Sequence, residues 1–208
     1  MRTILCYGDS NTWGWDPDTT ERFARDTRWP GVLRNLLGEG YEVIEEGLSD
    51  RTTVWDDPLG DSKNGKAYLV PCLESHSPID LVILMLGTND LKMRFSVPAF
   101  DIAGGVEVLV NVILGSDTGP GGQAPALLVL APPPLAKLSE FAEEFEGGTA
   151  KSLKLGERYR RVADTHGCAF LDTAEVISTS DIDGVHLEAA EHTRLGQAVA
   201  GAVRAIFE

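Results

Sequence analysis

Leu81-Val82-Ile83-Leu84-Met85-Leu86, followed at once by Gly87-Thr88-Asn89-Asp90, decides the fold class. Six consecutive apolar residues without polar alternation read as a strand buried on both faces, as in a parallel sheet covered by helices above and below. The Gly-Thr-Asn-Asp that follows stops the strand and leaves polar groups at its carboxyl end. Four shorter runs join it as strands: Ile4–Tyr7, Glu42–Ile44, Leu127–Leu130 and Ala169–Leu171. Between them lie helical stretches at Pro30–Leu37, Gly65–His76, Pro98–Leu114, Thr149–His166 and Glu188–Phe207. Pro30 and Pro98 suit a first helical turn, where a missing N–H costs little, and Gly38 and Gly167 suit helix ends. In the last stretch Ala189, Leu195, Val199, Val203 and Ile206 recur at helical spacing. Strand–helix alternation implies α/β architecture with five parallel strands. No internal repeat, low-complexity tract or linker interrupts it, so residues 1–208 are expected to form one domain.

Open sheets of this kind bind ligands beyond the carboxyl ends of their strands. That edge carries Gly8-Asp9-Ser10-Asn11-Thr12-Trp13 after the first strand and Gly47-Leu48-Ser49-Asp50 after the second. Gly87-Thr88-Asn89-Asp90 follows the third, Pro132-Pro133-Pro134 the fourth, and Asp181-Ile182-Asp183-Gly184-Val185-His186 comes after the fifth. The polar residues therefore gather at one edge.

Composition narrows the partners. The formal net charge is −14 and the basic residues are scattered, which excludes the basic patch that nucleic-acid binding needs. The densest basic cluster, Arg158-Tyr159-Arg160-Arg161, reads as a solvated helix face. No run of about 18 apolar residues exists, so no membrane span is expected. The apolar run Ile4–Tyr7 is too short for the core of a signal peptide, and a cytoplasmic location is the expectation. Cys6, Cys72 and Cys168 are an odd, widely spaced set, which argues against a disulfide framework, and Cys6 and Cys168, in apolar strand-like runs, read as small buried hydrophobes. His76, His166 and His192 read as capping or surface residues, His192 on the polar face of the last helix.

Acyl transfer through serine needs an exposed hydroxyl, a base, a carboxylate that orients the base, and N–H donors for the oxyanion. Ser10 leaves the first strand at a glycine turn. His186 can serve as base, and Asp183, three residues earlier, can reach the far ring nitrogen. Asn89 offers an amide at the end of the third strand. Taken singly, each has a plainer reading: Ser10 as a helix cap, Gly87–Asp90 as a loop, Asp183 and His186 as a cap or half a metal site. Their joint placement at one sheet edge favours chemistry. The elbow Gly-x-Ser-x-Gly is absent, since Thr12 stands where its second glycine belongs, which argues against an ordinary α/β-hydrolase.

The same residues resemble the blocks of the SGNH, or GDSL, hydrolases: Gly8-Asp9-Ser10 the first, Gly47-Leu48-Ser49-Asp50 the second, Gly87-Thr88-Asn89-Asp90 the third and Asp183-Gly184-Val185-His186 the fifth. The chain is most similar to the small bacterial arylesterases and acyltransferases, through Ile4–Ser10, Thr12–Trp15, Glu45–Ser49, Arg51–Thr53, Met85–Asp90 and Ala131–Leu135. The resemblance spans nearly the whole chain. It implies a flavodoxin-like three-layer α/β/α sandwich and a serine esterase acting on short-chain acyl or aryl esters through an acyl-Ser10 intermediate. It also implies acyltransferase or perhydrolase activity as a possible accompaniment. The implied triad is Ser10, Asp183 and His186, with an oxyanion hole from the Ser10 and Asp50 N–H groups and the Asn89 side chain. Most members carry glycine where this chain has Asp50, so its carboxylate is expected to turn outward, toward Arg51 or another basic group. A homo-oligomer is implied as well, with no cofactor and no metal. The partners are a small ester and an acyl acceptor.

For the pocket, Trp13 is the expected lining residue among Trp13, Trp15, Phe23 and Trp29, because it lies nearest Ser10 in sequence. Pro134–Gly148 carries Leu135, Leu138, Phe141 and Phe145 at the spacing of an amphipathic helix that covers the pocket or meets another subunit. Other substrates on the same fold stay open: a carbohydrate O-acetyl ester, a thioester or a lysophospholipid. Two further readings are a metal-dependent hydrolase using Asp9, Asp183 and His186, and a non-catalytic binding module.

Overall fold

The computed structural model describes residues 1–208. Five parallel strands, β1 (Arg2–Gly8), β2 (Tyr41–Gly47), β3 (Leu81–Met85), β4 (Ala126–Ala131) and β5 (Ala169–Asp172), lie in the order β2-β1-β3-β4-β5. This is the flavodoxin-like order. Seven helices accompany them: α1 (Ser10–Trp13), α2 (Trp29–Leu37), α3 (Gly65–His76), α4 (Ala99–Leu114), α5 (Gly148–Ser152), α6 (Leu155–His166) and α7 (Ala189–Phe207).

The central strand explains the three layers. All five residues of β3 are buried, and they alternate between two cores. Val82 and Leu84 join Leu69, Ile102 and Tyr159 beneath α3, α4 and α6. Leu81, Ile83 and Met85 join Trp29, Leu33, Leu195 and Val199 beneath α2 and α7. Successive side chains of a strand point to opposite faces, so an unbroken apolar run fills both cores at once.

Three sequence expectations need correction. Pro134–Gly148 is not a helix. Its early backbone donors pair elsewhere: Leu135 N–H with the Ser152 hydroxyl and Ala136 N–H with the Thr179 hydroxyl and the Gly184 carbonyl. Its later residues form successive turns. Leu135 and Phe145 are buried nonetheless, and Leu138 and Phe141 are partly buried against the same core. Thr149–His166 is broken into α5 and α6 around Leu153-Lys154. His192 is fully buried against α2, where its Nδ1 accepts from the Trp29 N–H at 3.3 Å. Burial, reinforced by Arg28, pushes its pKa down to about 4, so it is a neutral core residue.

His76 and His166 each meet a glutamate, Glu46 and Glu107, at 2.9 Å at partly exposed positions. The basic cluster on α6 is only partly a solvated face. Tyr159 is buried and donates to the Leu86 carbonyl at 2.9 Å, beneath Gly87. Gly87 has φ +120°, and a Cβ there would lie 2.0 Å from the Tyr159 hydroxyl oxygen. Glycine is thus required both by conformation and by space at the bend from β3 into the Asn89 turn.

Candidate active site

The carboxyl ends of β1, β2 and β3 deliver the polar segments to one place. β1 ends at Gly8, where a Cβ would lie 2.1 Å from the Thr12 hydroxyl oxygen and 2.9 Å from the Met85 carbonyl. Only glycine lets the chain turn directly into α1. Asp9 caps that short helix by accepting from the Asn11 N–H at 3.0 Å, which fixes Ser10 at its first position.

Ser10, Asp183 and His186 come together. The His186 Nε2 lies 3.0 Å from the Ser10 Oγ, and its Nδ1 lies 2.7 Å from the Asp183 Oδ2. The other Asp183 oxygen accepts from the backbone N–H groups of Val185 and His186 at 2.8 and 2.9 Å. Burial pushes the Asp183 carboxyl up, but these three hydrogen bonds outweigh it and hold the pKa below the ordinary carboxylate value. A carboxylate oriented in this way fixes the imidazole ring and its tautomer.

Asn11 locks the His186 loop to the Ser10 turn. Its Nδ2 donates to the Val185 carbonyl at 3.3 Å, and its Oδ1 accepts from the Leu187 N–H at 3.1 Å. Sequence reading passed over Asn11. Its adjacency to Ser10 was the one available signal, since partners 174 and 176 residues away are invisible without the fold.

Asn89 lies at the pocket with its Nδ2 donating to the Arg51 carbonyl at 3.1 Å. One amide hydrogen is thereby engaged, and the second is free to serve the pocket. The neighbouring Asp90 accepts from the Thr53 N–H at 3.0 Å, tying the Asn89 turn to the loop that carries residue 50. Burial pushes the Asp90 pKa up to about 7, offset in part by Thr53.

Asp50 adopts φ +66°, in the left-handed region that favours glycine. Its partner is Lys92 rather than Arg51. The Lys92 Nζ donates to the Asp50 Oδ1 at 2.6 Å and also meets Glu144 at 3.2 Å. Arg51 instead donates to the Gly8 and Glu46 carbonyls. Burial raises the Asp50 carboxyl, yet Lys92 more than offsets this and holds its pKa below the usual value. The carboxylate is thus engaged sideways along the pocket wall. Asp50→Gly is expected to change turnover by less than about tenfold, roughly 1.4 kcal/mol of barrier. Steady-state assay of that variant checks it, and a larger increase would mean that the carboxylate opposes the oxyanion.

The pocket has a volume of about 200 Å³. Its aromatic wall holds Trp15, Phe141 and Phe145, and its polar wall Ser49, Asp50, Lys92 and Glu144. The Trp15 and Phe141 rings lie 5.5 and 5.8 Å from the imidazole of His186. Trp13, the expected lining residue, stands behind Trp15 at 6.3 Å between ring centroids, with Arg22 over its ring at 4.8 Å. Proximity in sequence favoured Trp13, but the left-handed turn at Gly14, φ +92°, carries the chain round so that Trp15 faces the site.

Asp9, Asp183 and His186 are not grouped as metal ligands. Asp9 is buried as a helix cap, and both Asp183 oxygens are occupied by hydrogen-bond donors or the imidazole.

A model of the GDSL-like lipase/acylhydrolase family matches residues 6–194. No curated protein matches the chain at a significant level. Among solved structures, the carbohydrate acetylesterase Est24 from Sinorhizobium meliloti is 45% identical, with a TM-score of 0.96 over 99% of this chain and 100% of that one. The aryl esterase of M. smegmatis is 48% identical, with a TM-score of 0.95 over 99% of both chains. A member of the lipolytic G-D-S-L family from Veillonella parvula shares the fold, with a TM-score of 0.69 at 14% identity over 100% of this chain and 98% of that one.

Proposed function

The chain belongs to the GDSL-like lipase/acylhydrolase family and is a carboxylic ester hydrolase, and from that premise we propose that it cleaves short-chain acyl and aryl esters through an acyl-Ser10 intermediate. The observation that carries this reading is the continuous relay from Asp183 through His186 to Ser10, 2.7 and 3.0 Å long, opening into a pocket of about 200 Å³.

In the mechanism, the Ser10 Oγ attacks the ester carbonyl carbon while its proton passes to the His186 Nε2. Asp183 holds the proton at Nδ1 and stabilises the imidazolium. The carbonyl oxygen becomes an oxyanion, held by the Ser10 and Asp50 N–H groups and the free amide hydrogen of Asn89. Collapse expels the alcohol, which takes the proton from Nε2. Water then attacks the acyl-Ser10 by the same route in reverse and releases the acid. General base catalysis of this kind contributes about 10²–10⁴-fold.

Asn89→Ala is expected to lower turnover about 10²–10³-fold with little effect on folding. Steady-state kinetics with p-nitrophenyl acetate and a thermal melt check it. A loss below about threefold would remove Asn89 from the oxyanion hole.

The small pocket sets the acyl preference. The pocket's volume of about 200 Å³ lies below the roughly 300–1,000 Å³ of sites for larger ligands, which favours a short acyl group. Acetate is expected to turn over at least about tenfold faster than octanoate as the p-nitrophenyl ester. Equal rates would sink the short-acyl reading while leaving ester hydrolysis in place.

A second substrate reading has its own support. The polar wall of Ser49, Asp50, Lys92 and Glu144 offers hydrogen bonds to a hydroxyl-rich alcohol, and Est24 is a carbohydrate acetylesterase. An O-acetyl sugar is therefore the alternative substrate, separated from aryl esters by kcat/KM on acetylated xylose against phenyl acetate.

The aromatic wall beside His186 also favours acyl transfer, because alcohols partition onto it better than water. Transesterification in water with added alcohol measures the balance. No helix is long and apolar enough to cross a membrane. Three free cysteines suit the reducing cytoplasm, which is the proposed location. A homo-oligomer belongs to the same proposal and is measurable by sedimentation velocity.

A further inference from the structure

Glu46, Cys72 and His76 take no part in the mechanism above, yet the fold collects them. Cys72 and His76 are four residues apart on α3 and share one face of that helix. Glu46 belongs to β2, the edge strand of the sheet, and reaches across to them. Its Oε1 lies 2.9 Å from the His76 Nε2, and one ligand atom from each of the three residues lies within 4.8 Å of the other two. A tetrahedral ion with bonds of about 2.0–2.3 Å needs its ligand atoms about 3.3–3.8 Å apart. Small side-chain rotations therefore bring all three into register.

We infer that Glu46, Cys72 and His76 form a site for a borderline-soft divalent cation of the zinc class, separate from the ester-cleaving centre. The donor set selects the metal. A thiolate, an imidazole and a carboxylate suit zinc or cobalt, whereas magnesium and calcium require oxygen ligands alone. A fourth position is available. Glu46 also lines a cleft of about 450 Å³, with Ser62, Asn64 and Tyr68, from which water completes the shell.

Arg51 sets a limit on affinity. Its guanidinium lies over the Tyr7 and Tyr68 rings, at 4.2 and 5.5 Å, and faces the same cleft. That positive charge opposes a cation and offsets part of the ligand charge. Binding displaces one proton, from the Cys72 thiol to solvent, while His76 keeps its own proton at Nδ1 and coordinates through Nε2. The bound ion clamps the edge strand β2 to α3, so the expected role is structural.

Titration of the full-length protein with Co²⁺ tests the site. A thiolate-to-cobalt charge-transfer band of 1:1 stoichiometry is expected, displaced by Zn²⁺. Cys72→Ser should abolish the band, and Cys168→Ser should retain it. Loss of a ligating side chain costs at least what loss of an outer partner does, so His76→Gln should weaken Co²⁺ binding at least about tenfold. These three residues do not touch the pocket, so wild-type esterase activity in each variant certifies its fold. Absence of the band in the wild type, or its persistence in Cys72→Ser, overturns the site. Should Cys72→Ser fail to fold, unchanged Co²⁺ affinity in His76→Gln overturns it equally.

Discussion

Ser10→Ala is expected to lower p-nitrophenyl acetate turnover by at least about 10⁴-fold, the scale on which loss of a nucleophile acts in serine hydrolases. The substitution removes only the Oγ that lies 3.0 Å from the His186 Nε2. The turn itself rests on the Asp9 cap and on backbone bonds from Thr12 and Trp13 to the Asp9 carbonyl, none of which needs the hydroxyl. A thermal melt should therefore move little. Residual activity should be insensitive to serine-directed acylating reagents, which ought to label the wild type once per chain. Equal slow rates for the two proteins would remove Ser10 as nucleophile and would return the non-catalytic reading of the pocket.

Asp183→Asn is expected to lower turnover by about 10⁴-fold, for a reason visible in the hydrogen bonds around it. One carboxylate oxygen accepts from two backbone N–H groups, of Val185 and His186, and the other faces the His186 Nδ1. An asparagine has one acceptor and one donor end. Its oxygen is held by the two N–H groups, so its NH₂ must face the imidazole. That end can only donate, which forces Nδ1 to accept and places the ring proton on Nε2. The base then points a proton at Ser10 instead of a lone pair. Asp183→Ala is a different experiment, because it leaves two N–H groups without their acceptor and lowers stability as well. A loss of less than about 10²-fold in Asp183→Asn, with the fold intact, would show that Asp183 does not set the tautomer.

The Asp183 carboxyl also links folding to pH. Its pKa in the folded chain lies below the ordinary aspartate value of about 3.9. The stability it contributes is therefore fully present above that value and is lost as pH falls through the lower folded one.

The placement of the candidate site residues was legible for a simple reason. In a parallel sheet the functional groups come from the carboxyl ends of strands, and strand ends can be read from apolar runs followed by glycine and polar residues. Ser10 and Asn89 follow β1 and β3 immediately, and Asp183 and His186 stand three residues apart in one loop. No long-range knowledge was needed to nominate them. The partners of Asp50 were a different matter. Lys92 is 42 residues away, and the choice between it and Arg51 depends on which side chain the packed loops leave facing the carboxylate.

Hydrophobic spacing gave the right burial and the wrong backbone for Pro134–Gly148. Phe141 and Phe145 do face the site, but turns carry them, because the backbone found partners in the Ser152, Thr179 and Gly184 region. His192 shows the converse. Its helix was foreseen, while its facing toward Trp29 follows from how α7 packs on α2.

The linear order of apolar runs, glycines and polar strand ends determined the three-layer fold and the identity of the groups at its edge, because those depend on local period and on the direction of parallel strands. Only the tertiary structure decided that Trp15 rather than Trp13 faces the pocket, that Asn11 ties the His186 loop to the Ser10 turn, and that Lys92 draws the Asp50 carboxylate along the wall. Those outcomes turn on the relative placement of segments far apart in the chain, and side-chain direction at that range is set by packing.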